Sequence, residues 1–107
     1  MSTENEGSIK AIVELQAKPG RRAELKSLLE SVAAKYEPGQ PGFLGSTRYE
    51  VIDNPDILVE IAGWASAEVR AAVMQQAMND GAYAPLEELL AAPFRATVIR
   101  QLPGSIH

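Results

Sequence analysis

The chain contains no cysteine and a single histidine, and that histidine, His107, is its last residue. Without thiolates there can be no disulfide, iron–sulfur cluster, thiolate zinc site or cysteine nucleophile. A terminal histidine reads as a solvated chain end rather than as a base or a metal ligand. Apolar runs fall far short of a membrane span, and Met1 to Gly7 is polar, without the apolar centre of a signal peptide, so the expected location is the cytoplasm. Positive charge is scarce and scattered. Ten Lys and Arg stand against fourteen Asp and Glu, a formal net charge of −4, which argues against a phosphate-neutralising surface for nucleic acid. Metal-ligand spacing, phosphate-binding glycine loops and nucleophile elbows are missing too, so metal, heme, flavin and nicotinamide are not expected. What is present is 107 residues of ordinary apolar content, one domain large enough to bury a core of its own.

The patterned segments run strand, helix, strand, strand, helix, strand. In Ser8 to Ala17, the residues Ile9, Ala11, Val13 and Leu15 alternate with Lys10, Glu14 and Gln16 at the two-residue period of a sheet with unequal faces; Ile12 breaks the alternation. After Pro19 and Gly20, Leu25, Leu28, Leu29, Val32, Ala33 and Tyr36 share one helical face. Two prolines in Glu37-Pro38-Gly39-Gln40-Pro41-Gly42 end that helix. Phe43 to Ile52 and Ile57 to Trp64 are β-formers around Asp53-Asn54-Pro55-Asp56, which predicts a hairpin. If those four residues form the loop, Ile52 faces Ile57, Tyr49 faces Glu60, Thr47 faces Ala62 and Gly45 faces Trp64. Ser66 is a suitable N-cap for a helix carrying Val69, Val73, Met74, Ala77 and Met78, which Asn79-Asp80-Gly81 breaks. A short helix from Tyr83 or Pro85 to Leu90 and a strand from Phe94 to Gln101 complete the pattern.

Val13-Glu14-Leu15-Gln16-Ala17-Lys18-Pro19-Gly20, Glu37-Pro38-Gly39, Pro41-Gly42-Phe43-Leu44-Gly45, Asp53-Asn54-Pro55 and Trp64-Ala65-Ser66-Ala67-Glu68 occur in that order. In this the chain resembles the antibiotic biosynthesis monooxygenase family over residues 8–102, with a flexible arm at 1–7 and a tail at 103–107. The resemblance implies an α+β, ferredoxin-like βαββαβ fold with a four-stranded antiparallel sheet. It also implies that two copies join through the open sheet face as a dimeric α+β barrel. Apolar residues on both sheet faces, Ile12, Leu44, Ile52, Ile57, Val59 and Ile61 among them, agree with a homodimer.

Members of this superfamily include cofactor-free quinone-forming oxygenases, heme-degrading enzymes and isomerases, so fold alone does not assign a reaction. The heme-degrading members use a histidine in the second half of the chain, which is missing here before residue 107. Quinone-forming members share the tryptophan at Trp64 but carry an asparagine where this chain has Glu60, and many have a glutamate where Ala62 stands. Glu60 is the unusual residue, since a glutamate between Val59 and Ile61 is costly to bury unless paired or protonated. In the estimated register it converges with Tyr49 and Trp64 in a catalytic trio: Glu60 deprotonates a small aromatic or polyketide-like substrate while Trp64 and Tyr49 orient it. Phe43, Met74, Met78, Tyr83, Arg48 and Arg95 are candidate substrate-binding residues; Tyr36 is another aromatic placed to line a cavity. The same residues also allow a proton-shuttling isomerase. They equally allow a non-catalytic binding module, with Trp64 in the core and Glu60 in an ion pair with Arg48, Arg95 or Arg100.

Overall fold

A computed structural model describes residues 7–104. The expected arm and tail lie outside these residues, apart from Gly7, Pro103 and Gly104, as does His107. The elements are β1 (Ile9–Gln16), α1 (Arg22–Tyr36), β2 (Phe43–Val51), β3 (Asn54–Trp64), α2 (Ala67–Asn79), α3 (Ala84–Leu89) and β4 (Arg95–Ile99). The four strands form one antiparallel sheet in the order β2-β3-β1-β4. Each of the two halves is thus a strand–helix–strand unit whose strands are parallel and separated by one inserted strand, the split arrangement of a ferredoxin-like fold.

Strand alternation divides the sheet as the sequence indicates. Ile9, Ala11 and Leu15 of β1 and Leu58, Ala62 and Trp64 of β3 are buried beneath the helices. Among the described residues no helix covers the opposite face, where Lys10, Glu14 and Gln16 are exposed. Under the helices the apolar side chains form two clusters. One gathers Leu15, Leu25, Leu29, Leu58, Leu86 and Leu90; the other gathers Ile9, Tyr36, Ala62, Trp64, Val73 and Ala77. Along β1 the step between the clusters falls at Val13, and along β3 at Glu60, the residue paired directly with Val13.

The hairpin differs from the expected register by one residue. Arg48, not Tyr49, lies opposite Glu60; Tyr49 pairs with Val59, Thr47 with Ile61, Ser46 with Ala62 and Gly45 with Gly63. The cause is local. Val51 pairs with Asn54, so the turn is the two residues Ile52-Asp53, and Asn54-Pro55-Asp56 belongs to an irregular start of β3. There the Asn54 side chain accepts from the Asp56 backbone N–H at 3.1 Å, which supports the bend. A second irregularity at Leu44 lets Phe43 pair with Trp64.

Helix ends follow local chemistry. Ser66 caps α2 by accepting from the Val69 N–H at 3.1 Å. Gly42, in the loop after α1, has a positive φ of 88°, and a Cβ there would meet Ala65 and Val69 at 3.3 Å. Its carbonyl accepts from the Ala65 N–H at 2.7 Å, so the loop is drawn tightly against the end of β3.

Candidate functional site

A mostly apolar cavity of about 500 Å³ lies between sheet and helices. Val13, Leu15 and Glu60 form its floor on β1 and β3. One wall is the inward side of α1 from Leu29 to Glu37, another is Arg70, Met74 and Met78 of α2, and Tyr83, Leu86 and Phe94 complete the enclosure. The cavity therefore occupies the interval between the two buried clusters, where helices and sheet do not close completely.

Glu60 is 7% exposed, and burial among apolar side chains pushes its carboxyl above the ordinary range while the nearby Arg48 guanidinium pulls it back. Arg48 Nη2 approaches Glu60 Oε2 at 3.2 Å. The contact is an ion pair without hydrogen-bond alignment, for Glu60 Oε2 and Arg48 Nε are both buried with no hydrogen-bond partner. A buried carboxylate with one guanidinium beside it, lining a mostly apolar cavity, can act as a base toward a ligand that brings an acidic C–H or O–H.

A second buried carboxylate stands nearby. Glu37, the residue that follows α1, is 8% exposed and is pushed up to about 7, first by burial and then by the negative charge of Glu60; Arg48 and a hydrogen bond from Ser46 act in the opposite direction. Ser46 Oγ lies 3.4 Å from Glu37 Oε1. Ser46 and Arg48 are two residues apart on β2 and therefore share the covered face, one serving Glu37 and the other Glu60. Tyr83 Oη donates to Met74 Sδ at 3.0 Å, with its pKa raised mainly by burial. Tyr36 Oη donates to Asp80 Oδ2 at 2.9 Å, tying α1 to the end of α2 at the cavity's edge.

Of the residues expected from the sequence, Glu60, Met74, Met78 and Tyr83 line the cavity, as does Tyr36. Arg48 reaches Glu60 from the side. The remaining placements need correction. Tyr49 is 50% exposed and points to the open sheet face, because the two-residue turn together with the irregular start of β3 sets the register one step away from the assumed one. Arg95 pairs with Glu14 and also faces the open side. Trp64 does share the covered face with Glu60, but it is 1% exposed and packed against Phe43, ring centroids 5.0 Å apart, so Trp64 is core rather than cavity wall, and half-buried Phe43 packs against it outside the cavity lining. Glu37, Arg70 and Phe94 are cavity residues that the sequence reading did not single out. Among the described residues no group of His, Cys, Asp and Glu could hold a metal, and no helix is long and apolar enough to cross a membrane.

The sequence model of the antibiotic biosynthesis monooxygenase family matches residues 8–83, most of the chain. The chain belongs to that family. No curated protein matches it in sequence. Solved structures extend the likeness of this family member across the whole fold. A conserved protein from Methanosarcina mazei Go1 has a TM-score of 0.81 at 18% identity, over 92% of this chain and 97% of that one. SnoaB from Streptomyces nogalater, a cofactor-independent oxygenase solved as a mutant, has a TM-score of 0.75 at 21% identity, over 92% and 98%. Rv0793 from Mycobacterium tuberculosis has a TM-score of 0.77 at 21% identity, over 94% and 100%. At these identities the likeness is one of fold.

Proposed function

We propose that this family member is a cofactor-independent monooxygenase that takes a small aromatic or polyketide-like molecule into the cavity, with Glu60 as the general base. The observation that carries the reading is a buried carboxylate, accompanied by one guanidinium, in the floor of a mostly apolar cavity of a size suited to a few fused rings. In a substrate of the anthrone type, Glu60 removes a proton from a methylene activated by a carbonyl. The resulting carbanion passes one electron to O₂, the two radicals join as a peroxide, the proton returns to make the hydroperoxide, and loss of water leaves a new carbonyl. The methylene gives up four electrons and O₂ accepts four; one oxygen atom ends in the product and the other in water. Arg48 balances the charge of Glu60 before the proton moves, and Met74, Met78 and Tyr83 supply the apolar contact surface.

The working form in this reading is a cytoplasmic homodimer joined through the open sheet faces. The experiment is oxygen uptake with an anthrone-type phenol. Glu60→Gln should keep fold and assembly while turnover falls by roughly 10² to 10⁴, the range for a lost acid–base group. A second reading, a binding module without catalysis, is favoured by the Glu60–Arg48 ion pair, which could serve structure alone. An aromatic molecule that co-purifies by intact mass and absorbance, together with no oxygen uptake above background in the wild type, would establish that second reading instead.

A further inference from the structure

Glu37 has no part in the scheme above, yet it lines the same cavity as Glu60 and is almost as deeply buried. Burying two carboxylates beside a single guanidinium leaves one negative charge too many. The low-energy state of such a trio holds one proton on the two carboxyls, as in other pairs of carboxylates that share a site. Placement decides which carboxyl carries it. Glu60 has Arg48 at 3.2 Å, whereas Glu37 has the neutral Ser46 hydroxyl at 3.4 Å, so the charge belongs on Glu60 and the proton on Glu37.

We propose that Glu37 and Glu60 form a one-proton acid–base pair, with neutral Glu37 as the acid and ionised Glu60 as the base, and that the cavity's ligand is an uncharged ketone with an acidic α-C–H, which the pair enolises. This rests on the reading of Glu60 as a base and adds the acid and the substrate class. In the step, Glu60 takes the α-proton, the C–H electron pair becomes the C=C bond, and the carbonyl oxygen takes the Glu37 proton as its π bond opens. Glu37 ends ionised and Glu60 neutral. The pair therefore carries one negative charge before and after, matched throughout by Arg48, and an uncharged ligand leaves that balance undisturbed. The enol can then meet O₂ or take a proton at another carbon.

The groups that face the pair bear on its titration. Arg48 comes from β2, Arg70 from α2, Tyr83 from the segment before α3, Glu87 from α3, and Tyr36, engaged with Asp80, from α1. Arg48 favours ionised carboxyls, while Arg70 acts on the Tyr83 phenol. Glu37 is nevertheless pushed up to about 7, so burial and Glu60 outweigh Arg48 and the Ser46 hydroxyl.

Two measurements test the pair on the intact protein. The first is a carboxyl ¹³C titration of glutamate-labelled protein without ligand, the Glu37 signal being assigned from its loss in Glu37→Gln. The expected result is a Glu37 midpoint near 7 that drops by a unit or more in Glu60→Gln. A midpoint in the ordinary carboxylate range, or one indifferent to Glu60, overturns the pair. The second is anaerobic exchange of the anthrone methylene protons into D₂O. Exchange above background should fall about tenfold per pH unit above about pH 7 in the wild-type protein. Glu37→Gln should remove that fall, leaving a slower rate without the break. No exchange above background, or exchange in the wild type that climbs through pH 7 without a break, overturns the proposal. Exchange without oxygen uptake leaves it standing and removes the oxygenase reading. Should Glu60→Gln fail to fold, the wild-type titration and the profile of Glu37→Gln decide.

Discussion

The two faces of the sheet are built from the same strands by the same alternation, yet they are different environments. On β3, Leu58, Glu60, Ala62 and Trp64 go under the helices and are buried; Ile57, Val59, Ile61 and Gly63 go to the other side and stay half-buried. The covered face tolerates a carboxylate because Arg48 accompanies it and because the helices leave a gap over it. On the open face, Glu14 and Arg95 lie opposite each other but exposed, among half-buried Ile57, Val59 and Ile61. The cavity face and the open face are thus separated by a one-residue step along a strand, and a register error of one exchanges them.

The largest effect on this comparison should come from Trp64→Ala. Trp64 is the largest fully buried side chain, the centre of the cluster with Phe43, Val73 and Ala77. Removing a buried indole costs roughly 3–5 kcal/mol, a large part of the stability of a small domain. Chemical denaturation should therefore show a strongly destabilised or unfolded protein. A variant with near-native stability would mean that Trp64 is a cavity wall after all, and that the two clusters under the helices are not both needed.

Next in size is Ile61→Asp, which places a carboxylate on the open face opposite Thr47. If two copies meet through that face, light scattering should show the wild type at twice the chain mass and the variant at the chain mass, with circular dichroism little changed. Ion pairs cannot rescue an unpaired charge in a dry interface, whereas a solvated face would accept it at little cost. A variant that remains dimeric would move the interface elsewhere; a wild type that is monomeric at all concentrations would remove the barrel.

Much of this contrast was legible in the sequence, and what was not has identifiable causes. Alternation in Ile9, Ala11, Val13 and Leu15 and the spacing of Leu25, Leu29, Ala33 and Tyr36 report which side is buried without any tertiary information. Glu60 stood out because it breaks an apolar run on a strand. The hairpin register did not follow, because Asp53-Asn54-Pro55-Asp56 has the composition of a loop, while the chain uses Asn54 onward as an irregular strand start. Glu37 was hidden for a different reason. It sits in Glu37-Pro38-Gly39, a local pattern typical of exposed loops, and only its tertiary position, facing Ser46 of β2 at the cavity, buries it. Trp64 was placed on the correct face, but strand periodicity cannot tell a cavity wall from a packed core.

A smaller effect should separate Glu37 from the ordinary surface acids. Its folded-state pKa of about 7 exceeds the ordinary 4.5, so the folded protein holds an extra proton between those values. Glu37 therefore takes away stability as pH rises through that window, with the full cost present above about pH 7 and none below about 4.5. Glu37→Gln removes the cost. The variant should gain on the order of 1–3 kcal/mol over wild type between pH 5 and pH 8, several degrees in Tm. The difference between the two proteins reports Glu37 with its coupling to Glu60, since Asp80 and Glu24, held below the carboxylate range chiefly by hydrogen bonds from Tyr36 and Arg21, act with the opposite sign in both and cancel. A pH-independent difference would mean that water reaches Glu37 freely.

The smallest expected effect is the most pointed test of the boundary between the faces. Tyr49→Phe removes a hydroxyl from the residue next to Arg48, one position along β2 from the partner of Glu60. Were the register set by a four-residue loop, that hydroxyl would stand over the carboxylate, and its loss would cost turnover at least tenfold. In the observed register Tyr49 lies opposite Val59 on the open side and is half-exposed, so its phenol has no path through the sheet to the cavity. Turnover with an anthrone-type phenol should accordingly stay within about twofold of wild type, within the small range typical of surface substitutions. Arg95→Ala, on the same face opposite Glu14, should behave alike. A tenfold loss in kcat with unchanged melting temperature would mean that the open face takes part in the chemistry. The route would then be assembly, with one protomer's sheet presenting Tyr49 to its partner's site, and Ile61→Asp should abolish the same turnover by separating the two.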